Sequence, residues 1–424
     1  MNNWTPGDVS GEQVLTEADH LYNTHVNELR AAIDNGRTTL SKTEKPASVI
    51  ISAFGDSHTV GDPATTDSVT DIEHSFAYLF AQGRGATYNN YALGSTQMAD
   101  IATEMLSHAI ADTYKSFCML GFNDAIHMTS GDATLLETFY RGLLAGVGYL
   151  ATPDSHKKTG QGAGITFANS GNWTNASLYG GTLGKKTTVQ NETITFNVSG
   201  KAVIIGFTKD MDNGGNFTVT IDGVSKGTVS STQTYQTPWG LRTTPWAIIY
   251  SGLPDTQHTV VLQYTSTGAG NYFQFDWATG NDWCHDLYFP VVWVGNSLPM
   301  SAANYSAWSR SAADTTNFNN RILSGVKDLA LFGFNVHHVD THASVNAEQV
   351  AGVDVDTTNG NMHFNNVGHA KIAAAFADIA DAISLMGTTV INRSNGAPLF
   401  EIDPKNGKVR IYGQLDVVSI GYIT

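Results

Sequence analysis

Four short stretches of this sequence carry residue types suited to acyl transfer. Ser57 stands in "AFGDSHTVGD", Gly94 in "ALGST", Asn123 in "GFND" and His363 in "NMHFNNVGH". A serine hydroxyl becomes a good nucleophile when a base within hydrogen-bond reach takes its proton, the work open to His363. Attack on an ester carbonyl builds charge on its oxygen, which needs donors fixed beforehand. The backbone N–H groups of Ser57 and Gly94 and the Asn123 side-chain amide can supply three. Glycine at 94 also lets the backbone approach a substrate closely. Each residue alone is an ordinary turn former or cap. What matters is their shared place at the ends of strand-like runs, or just before a helix.

The elements that must hold them read clearly. "SVIISAF" precedes Ser57, "TYNNYAL" leads to Gly94 and "YKSFCMLG" to Asn123. Helical runs follow them: "IEHSFAYLFAQG", "GSTQMADIATEMLSHAI" and "DATLLETFYRGLLAGVGYLA". Such alternation implies a parallel sheet with helices on both faces. Open sheets of this kind hold their chemistry at the carboxyl edge. At about residue 155 the texture changes to alternating runs such as "TITFNVSG", "AVIIGFT" and "HTVVLQYT" between Gly, Asn and Asp turns. No helix-period segment interrupts them, which predicts an antiparallel β-sandwich. "FPVVWVGNS", "GVKDLALFGFNVHHVD" and "GHAKIAAAFADIADAISL" then resume the α/β pattern. The sandwich is therefore expected as an insertion between the third and fourth strands of the sheet.

The expected organisation is a helical attachment segment at 1–45 and an α/β domain in two parts, 46–153 and 289–386. The inserted sandwich spans 154–288, and a short β-rich segment follows at 387–424. In the first segment Leu15, Tyr22 and Leu29 recur every seven residues, with Val26 and Ile33 between them. That seam suits either a short coiled coil or packing on its own domain.

Composition narrows the class. The chain has 424 residues, 41% of them hydrophobic, too many for one ordinary core. A net charge of −15 without a cluster of Lys and Arg excludes a nucleic-acid groove. Two cysteines make no disulfide framework, and Cys118 reads as a buried thiol in a core strand. No run reaches the length of a membrane span. The opening "MNNWTPGDVSG" lacks a basic region followed by an apolar one, so no secretory signal is expected.

The blocks "GDSHT", "ALG", "GFND" and "HFNNVGH" resemble the four signatures of the SGNH (GDSL-like) hydrolases, over about residues 46–153 and 289–386. The resemblance implies a flavodoxin-like three-layer α/β fold and hydrolysis of esters, often acetyl esters on carbohydrate, without a cofactor. By it, Ser57 matches the nucleophile, Gly94 and Asn123 the oxyanion donors and His363 the base. One departure stands out. The family usually carries Asp three residues before its His, and position 360 here is Gly. Either Asp356, seven residues before His363, reaches the ring, or a backbone carbonyl near 360 orients it and leaves a dyad.

Other constellations have plainer readings. His338, Asp340 and His342 in "HHVDTHA" would share a strand face if the strand persisted, yet the segment suits a strand leaving the sheet, and no metal is expected. "DMDNGGN" (210–216) mimics the start of a calcium loop but has Ile221 where an acid is needed, so a hairpin turn is expected. His58 reads as a pocket wall. Trp173, Trp239, Trp246, Trp277 and Trp283 fall in the insert. Core positions suit most of them, whereas Trp239 and Trp246, in "TPWGLRTTPW", offer rings that would stack on sugars if the segment is an exposed loop.

A helical start, a hydrolase with a sandwich insert and a strand-only tail together resemble bacteriophage tail fibres and tailspikes that carry a deacetylase. That resemblance implies a virion protein acting outside the cell on an acetylated polysaccharide. It also implies a homotrimer, with other virion tail proteins as further partners. The tail is too small to bury a core alone and must dock on this chain or on identical neighbours. A receptor-binding protein with a degenerate site, or a bacterial carbohydrate esterase unrelated to phage, fits the same segments.

Overall fold

The computed structural model describes residues 50–61, 72–108, 115–128, 130–178, 181–233, 242–268, 270–285, 290–345, 354, 362–385, 389–392, 398–403 and 408–411. The apolar seam of residues 15–33 lies outside them. The chain forms two units, one of Ala47–Ala380 and one of Met1–Pro46 with Asp381–Thr424.

The first unit begins with β1 (Ile50–Phe54), which ends at a single helical turn, α1 (Ser57–Val60). Then come α2 (Phe76–Gly83), β2 (Thr87–Asn90), α3 (Met98–His108), β3 (Lys115–Met119), α4 (Phe122–His127) and α5 (Ala133–Leu150). Capping side chains start the helices where the sequence offers them. Ser75 accepts the Tyr78 N–H, and Asp132 accepts those of Thr134 and Leu135.

Nine antiparallel strands follow. They are β4 (Lys158–Thr159), β5 (Ile165–Phe167), β6 (Thr174–Leu178), β7 (Gly181–Thr187), β8 (Thr193–Asp210), β9 (Asn216–Ile221), β10 (Val224–Ser230), β11 (Thr243–Tyr264) and β12 (Phe273–Gly280). Their order is β10-β9-β11-β8-β12-β7-β6, with β4 on β12 and β5 on β8. The hydrogen bonding is continuous because β8, of 18 residues, takes β5 at one end and β12 at the other, while β11, of 22 residues, pairs along β8 and with β9 at its far end. "AVIIGF" in β8 is apolar throughout because both its faces are covered. Val203, Ile205 and Phe207 join the core of the insert, while Ala202 and Ile204 join that of the α/β region.

The chain returns through β13 (Val291–Gly295), α6 (Ala302–Ala307), α7 (Ala312–Phe332), β14 (Val336–Val339), α8 (Thr341–Ser344) and α9 (Asn366–Leu385). The parallel sheet has the order β14-β13-β3-β1-β2. Counted within the sheet alone this is the doubly wound order of flavodoxin, whose direction of winding switches between β1 and β3. Successive side chains of β3 point to opposite faces. Phe117 packs with Phe80 of α2 and Phe376 of α9. Cys118 is buried on the other face among side chains of α3, α5 and α7.

In the second unit β15 (Thr389–Asn392), β16 (Pro398–Asp403) and β17 (Lys408–Ile411) form an antiparallel sheet in that order. Its register sets Ile402 opposite Val409 and Phe400 opposite Ile411.

Candidate active site

The end of β1 explains the first motif. A side chain at Gly55 would put its Cβ 2.2 Å from Thr59 Oγ1 and 2.9 Å from the Met119 carbonyl oxygen, so only glycine lets the chain turn beside β3. Asp56 then caps α1, its Oδ1 accepting the His58 N–H at 3.1 Å. Burial pushes the Asp56 carboxyl up to about 7, against the lowering effect of that hydrogen bond. Ser57 follows at the first helical position, where a helix leaves its N–H without an intrahelical acceptor. Its Oγ lies 2.9 Å from His363 Nε2.

The next two loops are tied to the first. The Leu93 N–H donates to the Gly55 carbonyl at 3.0 Å. Thr96 Oγ1 donates to the Leu93 carbonyl at 2.7 Å and lies 3.3 Å from that of Gly55. Asn123 Nδ2 donates to the Thr96 carbonyl at 3.0 Å, which fixes the amide at the same edge. Gly94 lies inside this knot, exposed, with no atom within 4 Å of the place a Cβ would occupy. Glycine there keeps the space open. Gly121 opens α4 at φ 89°, a left-handed conformation that favours glycine.

Asp124 completes the knot, a role that sequence reasoning missed. Both its carboxylate oxygens accept the Met98 N–H, at 3.2 and 3.1 Å, so the acid of "GFND" caps α3 rather than its own helix. Burial is the main cause that raises its pKa, and the charge of Asp56 is among the lesser ones.

His363 is held by the start of α9. Asn365 caps that helix, its Oδ1 accepting the N–H groups of Val367 and Gly368. A Cβ on Gly368 would lie 2.4 Å from the Asp354 carbonyl oxygen, so glycine lets α9 close on that segment. Asp354 itself is buried and pairs with Lys371 Nζ at 2.6 Å. His369 Nδ1 accepts the Phe76 N–H at 3.2 Å, which fastens α9 to α2. Asp356 and the backbone near 360, the two candidates for orienting His363, lie outside the described residues. His58 packs 4.9 Å from the His363 ring and edge-on to Phe122 at 4.3 Å. It is fully buried, and neither ring nitrogen meets a partner among the described residues. Burial first, and then the neighbouring histidines, hold its pKa well below the ordinary value. His58 is a neutral wall.

The segment of His338, Asp340 and His342 leaves the sheet as expected, and two other expectations need correction. Strand β14 stops at Val339, and Asp340 caps α8 by accepting the Ala343 N–H, so His338, Asp340 and His342 share no strand face. His342 Nδ1 lies 2.9 Å from the Ser297 carbonyl oxygen instead. Among the described residues no group of His, Cys, Asp and Glu could hold a metal ion. Residues 210–216 turn on Asp210 Oδ1, which accepts the Asp212 and Asn213 N–H groups. The turn is no hairpin, because β8 and β9 both pair with β11 and not with each other. Trp246 lies in β11 rather than in a loop, buried in the core of the insert beneath Lys209 Nζ at 3.8 Å. Trp173, Trp277 and Trp283 are also buried, and Trp239 lies outside the described residues.

The carboxyl edge thus carries a hydroxyl bonded to an imidazole, with an amide donor and an open glycine loop fastened beside them. Such a set can attack an acyl carbon, take up and return a proton, and hold developing charge on an oxygen. Fold and site define an α/β protein with a serine–histidine pair at its parallel sheet and a separate antiparallel sheet inserted. No family model and no curated protein sequence matches this chain. Two solved structures of a two-domain esterase (CEX) active on acetylated mannans align with 59% of this chain and 94% of theirs, at 10% and 11% identity and a TM-score of 0.32. CsCBM6-3 from Clostridium stercorarium, in complex with cellobiose, aligns with 29% of this chain and 90% of its own, at 14% identity and a TM-score of 0.22. Likeness this distant carries no argument about the activity of this chain.

Proposed function

We propose that this chain is a serine esterase of the SGNH type that removes O-acetyl groups from a bacterial surface polysaccharide. The observation that carries the reading is the 2.9 Å contact between Ser57 Oγ and His363 Nε2 at the edge where Asn123 is fixed. Ser57 Oγ attacks the acetyl carbonyl carbon while His363 takes its proton. The N–H groups of Ser57 and Gly94 and the Asn123 amide stabilise the oxyanion. His363 returns the proton to the departing sugar oxygen, leaving acetyl-Ser57. Water, deprotonated by His363, then attacks the acetyl carbon, and His363 returns that proton to Ser57 Oγ as the acyl bond breaks and acetic acid leaves as acetate. The test is acetate release from a small aryl acetate and from a panel of O-acetylated capsules and O-antigens. Ser57→Ala should abolish it without loss of folding, and a fully active variant overturns the reading.

In the same reading the protein belongs to a phage tail fibre or tailspike, works outside the host cell and assembles as a homotrimer alongside other virion tail proteins. The order of segments in the sequence supports this, as do the apolar positions Leu399, Ile402, Val409 and Ile411 of the tail. A chain that runs as a monomer in light scattering removes both the trimer and the virion, and leaves the esterase.

Gly360, where the family carries an acid, favours a second reading, a receptor-binding protein without catalysis. An organophosphate-type probe separates the two. Strong, pH-dependent labelling of Ser57 rules out the second reading, whereas adsorption to cells with no acetate release supports it.

A further inference from the structure

The loop that follows β13 leaves the sheet at the same carboxyl edge as Ser57 and Asn123, and the reaction uses none of its side chains. It carries Trp308 at the end of α6, 41% exposed, among the few large apolar side chains open to solvent in the described residues. Leu93, beside Gly94, and Val367, four residues after His363, are two more. Solvation alone gives no reason for a tryptophan there.

Trp308 is also held in place. Its backbone N–H donates to the Asn304 carbonyl at 3.2 Å. Ser309, the next residue, has φ 56°, a left-handed conformation unusual for serine. Among the described residues four that are not glycine share that property. Asn191 and Asp222 belong to residue types that tolerate it, and Ser95 adjoins Gly94 in the proposed oxyanion loop. At Ser309 this is the left-handed close of α6, where the Arg310 N–H donates to the Tyr305 carbonyl at 2.8 Å. Arg310 then clips the loop to α4, its Nε donating to the Ile126 carbonyl at 2.9 Å. Ser130, just beyond α4, donates from its Oγ to Asp314 Oδ1 at 2.6 Å and fastens the start of α7.

The ring is aimed at α4. His127 meets Trp308 at 5.3 Å between centroids and 84° between planes, an edge-to-face contact, and Trp308 stays exposed beside it. Asn123 lies one turn back on the same helix, about 6 Å along the axis. Burial, and then the charge of Arg310, lower the His127 pKa, so its imidazole is a neutral donor and acceptor beside the ring.

We infer that Trp308 and His127 form a carbohydrate subsite, in which a pyranose ring next to the acetylated residue stacks on the indole and hydrogen-bonds to the imidazole. This rests on the esterase reading and adds how a polysaccharide is recognised at that site. The apolar face of a pyranose suits an indole, and its rim of hydroxyls suits a neutral imidazole. An isolated acetyl ester reaches neither. In this arrangement the α/β domain itself grips the polymer at the catalytic edge.

The test compares Trp308→Ala, Trp308→Phe and the wild-type chain on p-nitrophenyl acetate and on the acetylated oligosaccharide that the wild type hydrolyses fastest in the panel. Trp308→Ala should raise KM for the oligosaccharide about tenfold more than for the aryl ester, with Trp308→Phe in between. Binding of the same oligosaccharide to Ser57→Ala should weaken by a similar factor when Trp308→Ala is added. Equal effects on both substrates, or none on either, in a chain that still hydrolyses the aryl ester, overturn the subsite and spare the esterase. If Trp308→Ala changes only the mass in solution, the ring is a contact between copies and the subsite is again overturned. A wild-type chain without serine-dependent hydrolysis overturns the esterase reading and the subsite with it.

Discussion

His363 Nε2 lies 2.9 Å from Ser57 Oγ although 306 residues separate them in the chain. The two arrive on different supports, Ser57 on the turn that ends β1 and His363 on the segment that leads into α9. Groups that act as one unit are not additive when removed. Ser57→Ala and His363→Ala should therefore each lower kcat by about 10³-fold or more, and the double variant should fall no further than the worse single one. Steady-state kinetics on an aryl acetate measure this. Multiplying losses would mean that the two side chains act independently.

Asn123 is fixed by its bond to the Thr96 carbonyl, which uses one of the two amide protons. The other is free to serve an oxyanion. Asn123→Ala should cost about 3 kcal/mol of barrier, about a hundredfold in kcat, with KM little changed. The lost bond to Thr96 should cost only about 1 kcal/mol of stability. A variant whose KM rises while kcat holds would assign Asn123 to ground-state binding instead.

Asp56 predicts a pH dependence of stability. Its folded pKa is raised by burial from the ordinary 3.8 to about 7, so across that window the folded chain holds a proton that the unfolded chain has lost. Stability should fall as pH rises from about 4 to about 7 and level off above. Asp56→Asn keeps a good helix cap and removes the titration. Chemical denaturation at several pH values should show a shallower slope for this variant, with a remainder from Asp124, whose shift has the same direction. An unchanged slope would mean that Asp56 stays ionised in the fold.

How far the sequence is legible follows from what each motif has to satisfy locally. The parallel sheet is readable because "IISAF" and "KSFCM" are buried along almost their whole length and form β1 and β3. The four candidate residues are readable as a set because each stands near a strand end or a helix start, and the structure joins Ser57 to His363 and Asn123 to the loop of Gly94. The role of Asp124 is not, because it caps a helix that starts 26 positions earlier, and no local pattern shows that. Trp246 misleads because the prolines in its stretch suggest a loop, whereas tertiary pairing with β8 carries β11 through Pro245. Trp308 gives no sequence signal at all. Its exposure and its contact with His127 depend on packing between the loop after β13 and α4.

The last prediction concerns His258, buried where β11 slips its register against β8 between Ser251 and Thr256. Its Nε2 lies 2.9 Å from the carbonyl oxygens of Gly200 and Pro254, groups that only accept, so this nitrogen donates. Its Nδ1 lies 2.6 Å from Asp222 Oδ2, and a carboxylate likewise accepts. With both nitrogens donating, the ring is an imidazolium. Burial opposes that charge, but the Asp222 carboxylate and the two carbonyls outweigh it and raise the pKa above the ordinary 6.5. Asp222 shifts down in turn, chiefly through its hydrogen bond to His258. A raised folded pKa gives stability that is fully present below the unfolded value and lost as pH rises through the folded one. His258→Gln should therefore lose more stability at about pH 6 than at about pH 9. Denaturation of wild type and variant at both pH values measures the difference. The slope from Asp56 is common to both proteins and cancels in the comparison. A gap that stays constant with pH would mean that His258 is neutral in the fold and that the register slip is held by packing alone.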